Sequence, residues 1–183
     1  MMQLMQVKQY INSGNVVAYS STNDGIDSNG TLTISGGRVM AIGAQSPETG
    51  FDCDQNTFKI TGGIAIGLGG STSSPTSNVS TQASAILSGV SGNTIYSVLD
   101  GENNELLTFQ SPVSNSTMLL SVGKFAVGST YKLVSVNSIE DANSFNGLFV
   151  GGSFSNPTLS GNFTLTSMVS SLGGNSGMGG GGR

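Results

Sequence analysis

Gly25-Ile-Asp-Ser-Asn-Gly-Thr-Leu-Thr-Ile34, continued by Ser35-Gly-Gly-Arg-Val-Met-Ala-Ile42, is the stretch whose reading decides the fold. Its first half returns as Gly50-Phe-Asp-Cys-Asp-Gln-Asn-Thr-Phe-Lys-Ile60, with one residue inserted. The second half, Ile34 to Ile42, has an earlier copy in Ile11-Asn-Ser-Gly-Asn-Val-Val-Ala-Tyr19 and a later one in Ile60-Thr-Gly-Gly-Ile-Ala-Ile-Gly-Leu68. The spacing from Ile11 to Ile34 is 23 residues and from Ile34 to Ile60 is 26. Short β-type pieces and glycine turns repeating at that period predict a solenoid, in which each unit buries its apolar face only by stacking on a neighbour.

Within a copy, Thr31-Leu-Thr-Ile34 alternates polar and apolar residues at the two-residue period of a strand. Ser35-Gly36-Gly37 and Thr61-Gly62-Gly63 mark corners that call for positive φ, which glycine reaches without steric cost. Three strands and three bends per copy predict one coil of a parallel β-helix, with coils about 4.8 Å apart. Ile11, Ile34 and Ile60 would then form an internal apolar ladder. Tyr19 aligns with Ile42 and Leu68, which places it in the core.

The repeat stops at Gly70-Ser-Thr-Ser-Ser-Pro-Thr76, a stretch with the composition of a connector. Beyond it, strands are expected at Ala83–Val90, Thr94–Leu99, Glu105–Gln110, Met118–Val122, Thr130–Val136, Leu148–Phe154 and Asn162–Met168. Asp100-Gly101 marks a hairpin loop. The expected organisation is an all-β chain in four parts. Residues 1–10 form a cap or the cut edge of a longer array, and 11–72 hold right-handed parallel β-helix coils. A nonrepetitive, sandwich-like module over 73–172 covers the last coil. Residues 173–183, rich in glycine, form a flexible tail.

Composition narrows the function. Charged residues make up 9% of the chain, and 6 basic against 10 acidic side chains give a net charge of −4. So few cations leave little counterion-release energy, which argues against a nucleic-acid partner. No stretch approaches the roughly 18 apolar residues of a membrane span. The first nine residues, Met1 to Gln9, lack the apolar core and cleavage site of a signal peptide. Cys53 is the single cysteine, so no intrachain disulfide is possible. With no histidine in the chain, a Ser/His/Asp triad is excluded.

Four of the six aspartates lie in the repeat, Asp24 and Asp27 in one copy and Asp52 and Asp54 in the next. Stacked in register, Asp27 falls about 5 Å from Asp52. Two carboxylates that close repel by about 1 kcal/mol in water and more where solvent is partly excluded. A bound cation removes the conflict. Oxygen ligands without histidine point to Ca²⁺, and Asn23, Asn29 and Asn56 could add amide oxygens. The competing reading is local: Asx side chains at loop corners bond their own backbone.

Asp24-Gly-Ile-Asp-Ser-Asn-Gly-Thr-Leu-Thr-Ile-Ser-Gly-Gly37 and Gly50-Phe-Asp-Cys-Asp54, with Ile60-Thr-Gly-Gly63, resemble the bacterial carbohydrate-binding-domain proteins. Members fold as right-handed parallel β-helices similar in shape to pectate lyases, and the resemblance covers residues 11–76 closely and the rest loosely. It implies a secreted or surface-attached protein that carries Ca²⁺ on the helix and binds acidic plant polysaccharide such as polygalacturonate, or cellulose. Asp24, Asp27, Asp52 and Asp54 would then be the metal face, with Asn23, Asn29, Arg38 and Asn56 toward the glycan. This chain has fewer coils than the family. The leading expectation is a noncatalytic, Ca²⁺-assisted polysaccharide binder located outside the cell or on its surface. Two alternatives stand beside it. One is a structural or adhesive solenoid. The other is a lyase, for which Arg38 or Lys59 would supply the base.

Overall fold

The computed structural model describes residues 7–54 and 57–173. The expected tail, apart from Gly173, and most of the expected N-terminal segment lie outside these residues, as does Asn56. The protein is all-β. The repeats supply β1 (Lys8–Ile11), β2 (Asn15–Tyr19), β3 (Ile26–Asp27), β4 (Thr31–Ile34), β5 (Arg38–Ile42), β6 (Phe51–Asp52), β7 (Phe58–Ile60) and β8 (Ile64–Gly69). The rest of the chain supplies β9 (Ser84–Ser88), β10 (Ile95–Leu99), β11 (Glu105–Gln110), β12 (Thr117–Val122) and β13 (Thr130–Val136). It ends with β14 (Asn143–Phe145), β15 (Leu148–Val150), β16 (Thr158–Thr164) and β17 (Val169–Ser171).

Equivalent strands of successive copies pair in parallel and in register. β1, β4 and β7 form one ladder, in which Ile11 lies beside Ile34 and Ile34 beside Ile60. β2, β5 and β8 form a second, with Tyr19, Ile42 and Leu68 in one row. β3 and β6 form the third. Gly37 at φ +80° and Gly63 at φ +81° turn the corner before β5 and β8. A Cβ added to Gly63 would lie 2.6 Å from the carbonyl oxygen of Gly37, so the corners stack too closely for any side chain.

β8 does not end its sheet. Antiparallel β12 pairs along its whole length, from Thr117 beside Gly69 to Val122 beside Ile64, and β9 and β17 continue outward. One six-stranded sheet, ordered β17-β9-β12-β8-β5-β2, is therefore shared by the repeats and the rest of the chain. A second six-stranded sheet, β14-β15-β11-β10-β13-β16, is antiparallel throughout. Alternation on the shared sheet sends Val39, Ala41, Ala65, Ile86 and Leu119 to one face, where they join Leu32, Ile34, Phe51, Phe58 and Ile60 in a core. Met40, Ile42, Ile66, Leu68, Met118 and Leu120 point the other way, onto Tyr96, Phe109, Tyr131 and Phe163. Both faces are covered, which is why Val39-Met-Ala-Ile42 is apolar at every position.

At the far end of the stack β12 pairs along β8, and a second segment lies over the edges of β6 and β7. Residues 73–82, which begin inside the 70–76 stretch read from composition as connector, run along the last copy and satisfy its strand edges. Phe51 and Phe58 carbonyls accept from the N–H groups of Ser73 and Thr76 at 2.8 and 2.7 Å. The N–H groups of Cys53, Phe58 and Ile60 donate to the hydroxyls of Ser73, Thr76 and Ser80. Hydroxyls substitute here for the carbonyls of a further strand. No helix among the described residues is long and apolar enough to cross a membrane.

Candidate metal centre

The third ladder carries the acidic residues. Ile26 lies beside Phe51 and Asp27 beside Asp52. With Ile26 and Phe51 packed on the core, alternation turns the carboxylates outward. Asp54 follows at the next corner with φ +23°. Asp27, Asp52 and Asp54 each present a carboxylate oxygen within 4.8 Å of the others, and the three can serve as a metal-binding triad. Asp27 and Asp54 are exposed, and Asp52 is half-buried.

The cluster shows the strain of like charges. Partial burial pushes the Asp27 carboxyl above its ordinary value, and the charges of Asp52, Asp24 and Asp54 push it further. Asp52 is held in place by Ser73, whose hydroxyl donates to Oδ1 at 3.2 Å while accepting from the Cys53 N–H. Nothing in the repeat announces Ser73; the signal lies in the Ser-Thr run that follows it, which read as connector. Cys53 itself is buried, its thiol donating to the Gly30 carbonyl, and burial raises its pKa. It is positioned as core, not as a ligand.

The remaining sequence candidates fall in different places. Asp24 stands apart from the triad: its Oδ1 accepts from the Thr49 N–H at 2.6 Å, joining two copies at a corner. That bond is structural but reaches the next copy and not the residue's own turn, and it leaves Asp24 to act on the triad through its charge. Asn23 is exposed, its N–H donating to the Ser20 hydroxyl and its carbonyl accepting from Ala44. Asn29 is exposed two residues after Asp27. Arg38 opens β5, beside Asn15 and Ile64, on a different ladder from the carboxylates. Lys59 lies in β7.

Tyr19 corrects an expectation. Its row is as aligned, beside Ile42, yet it is 52% exposed where Leu68 is fully buried. Among the described residues β2 is the outermost strand of its sheet, so the Tyr19 side chain borders an open cleft shared with Val17, Gln110 and Pro112. No family model matches the chain, and no curated protein or solved structure matches it either.

Proposed function

We propose that the chain is a noncatalytic, Ca²⁺-assisted binder of acidic polysaccharide, built on right-handed parallel β-helix coils and working outside the cytoplasm. In-register parallel ladders with glycine corners support the β-helix reading. The observation that carries the function is the convergence of Asp27, Asp52 and Asp54 on one point. Three carboxylates with no nitrogen ligand suit a hard cation. Asp27, Asp52 and Asp54 would hold the ion, and Ca²⁺ bound there would cancel their repulsion and offer coordination to a uronate carboxylate. Asn29, exposed two residues after Asp27, would hydrogen-bond sugar hydroxyls. A lyase would need a base beside the same point, and Arg38 in β5 and Lys59 in β7 belong to other ladders.

Thermal melting with and without Ca²⁺ is the first test. At an ion concentration 100 times Kd, linkage stabilises by about 2.7 kcal/mol, roughly 5–10 °C for a chain of this size. EDTA should reverse the gain, and Asp52→Asn should abolish it. Polygalacturonate should then be retained by the wild-type protein only when Ca²⁺ is present. A melting point indifferent to the ion removes the metal reading, and retention without Ca²⁺ removes the bridging.

A further inference from the structure

Among the described residues, the edge strands of this fold are guarded in the ways that keep sheets from joining, with one exception. β14 and β17 run three residues each, and β3 and β6 two. β16 is bulged, its register against β13 stepping from Gly161 to Leu159 past Ser160. β7 lies under residues 73–82, whose hydroxyls accept from the Phe58 and Ile60 N–H groups. β1 carries the charge of Lys8. β2 alone has none of these devices. Its five residues, Asn15-Val-Val-Ala-Tyr19, hold unbroken register on β5 and include no charge, proline or glycine.

The groups that β2 presents are fixed by its pairing. The Gly14 carbonyl accepts from the Arg38 N–H at 2.8 Å, and the Ser20 N–H donates to the Ile42 carbonyl at 2.9 Å. Alternate residues of a parallel strand bond the same neighbour, so Val16 and Ala18 also face β5. The N–H and C=O groups of Asn15, Val17 and Tyr19 therefore point away from the sheet. That pattern is its own complement. In antiparallel pairing about a twofold axis through Val17, Val17 lies opposite Val17 of the second copy and Asn15 opposite Tyr19. Each outward donor then meets an outward acceptor. No charged side chain lies on either strand to oppose the contact. The other end of the stack, taken up by β12 and residues 73–82, offers no matching edge, so the pairing stops at two copies. We propose that β2 is the interface of a homodimer, in which two shared sheets join edge to edge through Asn15, Val17 and Tyr19. The bonds are main-chain, so the Tyr19 side chain stays on the sheet face beside the small Asn15 of the second copy and is not enclosed. The assignment does not depend on the metal-centred reading.

Sedimentation equilibrium of the full chain from about 1 μM to 1 mM measures the association, with EDTA present to keep the outcome separate from that of the carboxylates. A monomer–dimer equilibrium is expected within that range, as suits a small interface, with no larger species. Amide hydrogen exchange should slow about tenfold at Asn15, Val17 and Tyr19 between the lowest and highest concentrations, and stay unchanged at Val16 and Ala18. Two exposed positions test the register. Asn15→Lys combined with Tyr19→Lys sets lysine against lysine on both sides of the axis and should weaken the dimer about tenfold. Asn15→Asp combined with Tyr19→Lys sets opposite charges at the same places and should return Kd to within about threefold of the wild type. Equal melting temperatures at the lowest concentration show that both variants fold. A monomer at every concentration, a dimer that the two variants affect alike, or assembly beyond two copies overturns the proposal.

Discussion

Tyr19 and Leu68 occupy the same position in the first and third copies, two strands apart in one ladder, and their fates are opposite. Leu68 is enclosed because β12 pairs along β8 and the antiparallel sheet lies over that face. Among the described residues β2 pairs only with β5, so Tyr19 stands at a margin. Register determines which way a side chain points; burial depends on what the neighbouring strand and sheet provide. A repeat therefore predicts direction well and environment poorly at its two ends.

Truncating both residues of this row gives the largest contrast. Leu68→Ala should cost about 2–5 kcal/mol, the range for a fully buried leucine. Tyr19→Ala should stay near 0.5 kcal/mol, as at other surface positions. Urea denaturation of the two variants measures the difference directly, and equal losses would mean that Tyr19 is covered in solution.

The corners sharpen the same comparison at smaller scale. Gly14 and Gly63 share a φ of +81°, but a Cβ at Gly14 meets nothing within 4 Å. Gly14→Ala should thus report conformational strain alone, about 1 kcal/mol. Gly63→Ala adds the clash with Gly37 and should cost roughly 2–3 kcal/mol. The excess isolates the contribution of stacking, and an excess of zero would mean the copies separate easily at that corner.

The smallest effect concerns pH. Because the Asp27 carboxyl is raised in the fold, the folded state binds its proton more readily than the unfolded chain does. Without a cation, that contribution is fully present below about pH 3.8, the ordinary value, and is lost as pH rises through the folded pKa. Asp27→Asn should flatten this slope in EDTA and raise stability at neutral pH by a fraction of a kcal/mol, consistent with charges repelling at this distance. A variant with the wild-type slope would show that Asp27 is not under pressure from its neighbours.

Much of this was legible in the sequence. The pairing of Asp27 with Asp52 follows from aligning two phrases, and the strands from Ser84 to Val136 follow from alternation and turn residues. The last long strand runs over Thr158–Thr164, earlier than the expected Asn162–Met168, because β13 selects its register by pairing Tyr131 with Phe163. β14 and β17, three residues each, are too short to carry a period. The closing role of the segment over 73–82 was hidden because the serines and threonines of 70–76 read as connector until the strand edges they satisfy are known. Asp24 precedes one phrase and Asp54 lies within the next, and only folding separates a corner hydrogen bond from a contribution to the triad.

The seam between β8 and β12 has a consequence for synthesis. Gly69 leaves the ribosome well before its partner Thr117, so the last copy emerges with a bare edge and with Ile66 and Leu68 uncovered. Nascent chains paused in that interval are the ones most prone to stick to one another, and the ones a chaperone would find first.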